Sequence, residues 1–242
     1  MTRGLPVVVL LAVLGSALPA VGQDLTIDLG EGPLLSTRTI QLFLLISVIS
    51  IAPGLAVMIT CFPFIVTVLA ILRNAIGLQQ SPPNMLLVSL ALFLSWFVME
   101  PVFMEAWAVG IEPLNRGEMD AAEALAAGME PFRSFMASRL DPETFETLRA
   151  LRPDMPEGPI REASLGVLIP SFMLSELSRA FQIGFVIFLP FLIIELVVAA
   201  VLMAMGMMMV PPTIVSLPFK LAFFVVVDGW ALVAAALVRG YG

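Results

Sequence analysis

Histidine is absent from the 242-residue sequence, and cysteine occurs once, at Cys61. The first absence removes the side chain whose charge changes near neutral pH, and with it the commonest proton shuttle and metal ligand. A lone cysteine closes no intramolecular disulfide. Set inside an apolar run, Cys61 reads as a small buried hydrophobe rather than a nucleophile. Charge is scarce too: Asp, Glu, Lys and Arg make up 13% of the residues, where a soluble domain carries about a quarter. The net charge of −7 offers no basic footprint for nucleic acid or for an anionic membrane surface. No metal-ligand cluster or cofactor motif stands out, and no nucleophile has a base beside it.

Apolar length is what the sequence has instead. Hydrophobic residues are 60% of the chain and the mean hydropathy is +1.02. That balance describes an integral membrane protein, or one buried in a larger apolar assembly.

Residues 1–22 have the pattern of a cleavable signal peptide: Arg3, an apolar core over 5–14, then Pro19, Ala20 and Gly22 before Gln23. The core is shorter than the roughly 20 residues of a membrane span; an uncleaved anchor is the alternative. Residues 23–38 form a polar, acidic exported tail. Residues 39–107 form the first long kinked helical hairpin. No charge occurs over 39–72, and Pro53-Gly54 and Pro63 are expected to interrupt the run. Broken helices at membrane depth need protein or a water-filled cavity over the freed backbone. This is therefore a kinked helix packed on protein, or a two-span hairpin. A second apolar run over 85–107 is expected to break at Glu100-Pro101, with Trp96 and Trp107 as interface anchors or packing residues.

Residues 108–162 gather most of the charge in a helical, water-facing insert. EMDAAEALAAGMEPFRSFMASRL has helical spacing, and DPETFETLRAL predicts a short helix with Asp141 at the N-cap and Pro142 at N1. The signal segment places this insert on the exported side of the membrane. Residues 163–242 form a C-terminal helical hairpin, with apolar runs over 165–204 and 213–238.

Between those runs lies MGMMMVPPTIVSLPFK (205–220). Met205, Met207, Met208 and Met209 crowd into five positions and precede Pro211-Pro212. Methionine fills gaps of changing shape, and paired prolines cannot continue a helix. The stretch reads as a deformable constriction, or more blandly as apolar filler.

Ionisable residues in apolar helices default to pairing or functional roles. Glu176 and Arg179 are three apart and share a helix face. Glu195 and Lys220 lie equally far from a turn at Met207-Met208, so a helical hairpin brings them to the same depth. They form an intramembrane ion pair, within one chain or between copies, or else make separate contacts with backbone carbonyls, polar groups or water. Glu100 and Glu105 cap or face an interface rather than form an acid–base pair.

PSFMLSELSRAFQIGF (170–185), PPTIVSLPFKLAFFVVVDGW (211–230), RNAIGLQQSPPN (73–84), LFLSWFVMEPV (92–102) and MGMMMVPP (205–212) resemble the signature stretches of the FliP family of type III secretion export-gate proteins. The signal, the acidic insert and VVVDGW resemble the flagellar rather than the injectisome branch. The resemblance implies an all-α membrane-associated fold of kinked hairpins, assembled as a helical, funnel-shaped pore from about five copies. Expected partners are FliQ-type and FliR-type subunits, an FlhB-type switch protein and unfolded export substrates. The expected place is the flagellar basal body at the inner membrane, largely on its periplasmic side. Met205, Met207, Met208 and Met209 match the family's pore gasket, and Glu195 and Lys220 its acidic and basic helix positions. The implied function is a non-enzymatic conduit for unfolded subunits. Rival readings are a secondary transporter, which the lack of a repeat between the two halves opposes, and a scaffold whose pore is made elsewhere.

Overall fold

The computed structural model describes residues 34–78, 81–152 and 158–241. The expected signal peptide and most of the expected exported tail lie outside the described residues. Among the described residues every regular element is helical, as the long apolar runs and the family resemblance implied. In chain order these are α1 (Leu34–Met58), α2 (Phe62–Ile76), α3 (Asn84–Ala106), a π-helical turn (Trp107–Ile111), α4 (Glu112–Asn115), α5 (Ala121–Arg139), α6 (Pro142–Ala150), a 3-10 turn (Ile160–Glu162), α7 (Leu165–Ala204), α8 (Pro212–Val226) and α9 (Gly229–Arg239).

The chain divides into two units, residues 1–50 and 51–242. In the first, the Ser47 and Ser50 hydroxyls donate to the Phe43 and Ile46 carbonyls at 2.8 and 2.7 Å. Bonding back to the preceding turn is how an apolar helix satisfies a hydroxyl. α1 begins ahead of Thr39 and passes through residues 53–54 without a break. The interruption expected there falls instead at residues 59–61. Thr60 turns the chain, its hydroxyl donating to the Val57 carbonyl at 2.8 Å and accepting from the Phe62 amide at 3.3 Å. Pro63 sits in the first turn of α2, where its missing N–H leaves no bond unmade.

The second unit is built around α2. Phe64, Ile65, Val68, Leu69, Leu72, Ala75 and Ile76 are buried, a three-four spacing that gives one broad apolar face. Against it pack Leu87, Ala91 and Met99 of α3, Ala180 and Phe191 of α7, and Phe224, Val233 and Leu237 of α8 and α9. Cys61 is fully buried in this core, its thiol facing the Ser95 carbonyl at 3.8 Å. A smaller cluster of Met136, Leu140, Phe145, Val167, Leu168 and Phe172 roots α5 and α6 on the start of α7.

The insert forms the two helices its sequence predicts. Asp120 accepts from the Ala122 and Glu123 amides, and Glu123 reaches back to the Asp120 amide, a complete capping box. Asp141 caps α6 by accepting from the Thr144 amide and hydroxyl at 2.9 and 2.7 Å. α5 crosses the π-helical turn where Gly110 meets Gly128. A Cβ on Gly110 would stand 2.8 Å from the Ala124 carbonyl oxygen, so only glycine permits this crossing.

The break expected at Glu100-Pro101 is absent. α3 runs through Pro101, and regular winding is lost only at the π-helical turn. Conversely, the apolar run over 213–238, read as one helix, is two. α8 and α9 are bent by 62° at Asp228, which adopts a left-handed conformation, φ 50° and ψ 53°. A right-handed helix cannot pass through a left-handed residue. Two helical segments, Asn84–Asn115 and Leu165–Ala204, are long and apolar enough to cross a membrane; the bent α8–α9 pair makes a third if taken as one span. At 40 residues, α7 is about 60 Å long. That is about twice the thickness of a bilayer's hydrocarbon core, so a stretch of it stands outside.

Candidate functional site

The α7–α8 hairpin carries the Met-rich loop at its tip. α7 ends in a Schellman motif: the Gly206 amide donates to the Met203 carbonyl at 3.0 Å and the Met207 amide to Leu202 at 2.9 Å. This closure needs a left-handed residue, and Gly206 supplies it at φ 76°. Pro211 and Pro212 then open α8. Backbone groups alone close this turn, so no methionine side chain is consumed in making it. Met205, Met207, Met208 and Met209 are 60, 44, 82 and 99% exposed.

Three turns below the tip the structure brings Glu195 and Lys220 together within one chain. Lys220 Nζ donates to Glu195 Oε2 at 2.5 Å, and Thr213 Oγ1 donates to Oε1 at 2.8 Å. The Lys220 side chain is 3% exposed and that of Glu195 28%. Thr213 was not anticipated. Its spacing of seven from Lys220, two helical turns, was the signal that places it on the same face. Beside the pair, Ile193, Val197, Val201, Met205, Phe219 and Phe223 help line an apolar groove of 690 Å³.

Glu176 and Arg179 meet as their spacing predicts, Nη1 to Oε1 at 2.9 Å, but they belong to a larger cluster. Glu176 is fully buried. It also accepts from Arg139 Nε of α5 at 3.3 Å and from the Tyr241 hydroxyl. The Arg139 guanidinium lies 4.0 Å over the Tyr241 ring and donates to the Gly240 carbonyl at 2.8 Å. Arg179 Nη2 donates to the Arg139 carbonyl at 3.2 Å. One carboxylate thus fastens the end of the insert helix and the end of the chain to α7. Burial pushes the Tyr241 phenol above its ordinary value, and the Glu176 charge and hydrogen bond push it further. The Thr144 hydroxyl and amide hold the Asp141 carboxyl below the usual carboxylate value.

Glu176 and Glu195 are about 28 Å apart along α7, so these are two separate sites. Among the described residues no group of three or more His, Cys, Asp or Glu side chains converges as a metal ion requires. What the hairpin offers is mechanical: a soft, exposed thioether tip on two apolar helices, pinned by a mostly buried ion pair.

Residues 45–237 match the FliP family. The chain is 48% identical over 236 residues to the flagellar biosynthetic protein FliP of Caulobacter vibrioides, covering 96% of this chain and 89% of that protein. It is 45% identical to the flagellar biosynthetic protein FliP of Rhizobium meliloti, over 84% of this chain and 83% of that one. It is 43% identical to that of Bacillus subtilis, over 85% and 93%.

Proposed function

The chain belongs to the FliP family, and on that footing we propose that it is an inner-membrane component of the flagellar protein-export apparatus and builds the wall of its conduit. The observation that carries this reading is the exposed Met-rich tip of the α7–α8 hairpin. Four exposed thioethers, of which Met208 and Met209 stand almost wholly clear of their own protomer, suit a seal that must close on itself and then yield to a passing chain. Copies of the hairpin, about five arranged helically with FliQ-type and FliR-type subunits, bring these tips around one axis, where they form the gasket. Glu195 and Lys220 fix the stance of each hairpin so that its tip stays at the level of the ring. The overlong α7 agrees with an assembly that rises out of the membrane plane. The domain boundaries follow: a signal peptide over 1–22, an exported tail, a first hairpin through residue 107, a periplasmic insert over 108–162 and the gasket hairpin over 163–242. The FlhB-type switch protein and unfolded flagellar subunits are the remaining partners.

The test is electrical. With Met207, Met208 and Met209 all replaced by Ala, the assembled complex in a planar bilayer should pass small ions several-fold faster than wild type. Unchanged conductance in an intact assembly removes the gasket and leaves the chain a scaffold.

A further inference from the structure

Glu100 lies at mid-length of the apolar segment Asn84–Asn115 and is exposed. At 3.6 residues per turn it shares one face with Phe93, Phe97, Met104 and Trp107, which are 75, 65, 64 and 55% exposed. Its carboxylate has no ion pair or hydrogen bond among the described residues. Pro101, which follows it, has no N–H to give the Phe97 carbonyl one turn back. The face therefore presents acceptors set among large apolar side chains.

Hydrocarbon suits the aromatics but leaves an unpaired carboxylate at mid-span, which is costly. Water suits the carboxylate but leaves a contiguous aromatic patch wet. A protein surface carrying a cation satisfies both. Among the described residues of its apolar helices, a second copy has no unpaired cation at mid-span; its exposed Arg239 stands at the end of α9. In the described spans Lys220 is buried on Glu195 and Arg179 is held by Glu176. Arg73, at the end of α2, is held by Asn84 and the Pro82 carbonyl. Glu105 and Asp228 add to the acidic surplus: both are exposed and neither has an ion pair among the described residues.

The geometry points to this face of α3 as the docking surface for a different membrane protein, one that carries an arginine or lysine in an apolar helix to the level of Glu100. An arginine fits best, because its forked donors reach the Glu100 carboxylate and the Phe97 carbonyl together. The inference deepens the assembly part of the proposed function and rests on it, but needs neither the conduit nor the gasket.

Photo-crosslinking in the native membrane tests it without reading export, so its failure is distinct from failure of the gasket. Benzoylphenylalanine replaces Phe97 or, separately, Met104, in chains carrying two different tags. The expected adduct is a polypeptide with neither tag, joined through an apolar segment that contains a Lys or Arg. Glu100→Lys should reduce that adduct roughly tenfold or more, and exchanging the partner's cation for Glu should restore it. Buried Cys61 reports folding, since it resists a maleimide in the folded chain; a Glu100→Lys chain that reacts is replaced by Glu100→Gln, which should also lose the adduct. Adducts to the second tag, to lipid, to a segment without a cation, or no adduct from either position overturn the proposal. So does an adduct that survives loss of the Glu100 charge.

Discussion

Tyr241 is the only tyrosine in the sequence, so the tyrosinate absorbance band reports this one phenol. In the unfolded chain it ionises near pH 10. In the folded chain burial and the neighbouring Glu176 carboxylate raise that value. A raised folded value means the contribution is whole below about pH 10 and is lost as pH climbs above it, because the unfolded state gives up its proton first. Titrating the detergent-solubilised protein should therefore show no tyrosinate band at about pH 10 while the helical circular dichroism is intact. The band should appear together with loss of helix. A transition near the unfolded value in folded protein would detach Tyr241 from Glu176. The half of this cluster visible in the sequence is the half made by local geometry: Glu176 and Arg179 are neighbours on any helix. Arg139 and Tyr241 are brought in by how α5 and the chain end pack on α7, and no spacing rule spans that distance.

At the scale of the element, the α7–α8 hairpin was legible because its signals are chemical and short. Two prolines forbid continuation of the helix, and equal distances from the turn match Glu195 with Lys220; Gly206, whose left-handed closure ends α7, was not anticipated. The breaks were harder to place. Pro101 lies inside a helix that continues, since a proline removes one backbone bond, here the one to the Phe97 carbonyl, without forbidding the turns on either side. Asp228-Gly229 is by contrast a turn dipeptide whose signal was outweighed by the surrounding valines, and it marks the 62° bend. The hairpin's ion pair gives a prediction at this scale. Glu195→Leu should destabilise the protein by about 3 kcal/mol, because it strands the buried Lys220 ammonium without its partner. Exchanging the two charges, Glu195→Lys with Lys220→Glu, should recover part of that loss, measured by thermal unfolding in detergent. A double variant no more stable than the worse single one shows that the contact does not hold the hairpin.

For the whole molecule, composition announced a membrane protein but could not say which faces meet lipid and which meet protein. α7 shows why. Its most apolar 18-residue window has a mean hydropathy of 2.9, yet only 11% of that window is buried within the chain. Periodicity reveals a buried face only where polar residues mark the opposite one, and here both faces are apolar. Length breaks the tie. A helix of about 60 Å has apolar surface beyond the reach of any hydrocarbon layer, and exposed Phe181, Phe185, Ile193, Leu196 and Val201 run along much of it. Such a surface outside a bilayer is stable only against more protein. The 26.1 kDa chain purified alone in a mild detergent should therefore scatter light as a multiple of its own mass once bound detergent is subtracted. Phe185→Glu, on the exposed face of α7, should shift that mass downward by placing a charge in the contact. A protein that runs as a single chain, with or without this substitution, means that α7 is covered by lipid or by other subunits. Self-assembly of the hairpins, on which the proposed gasket depends, would then have no basis in this chain.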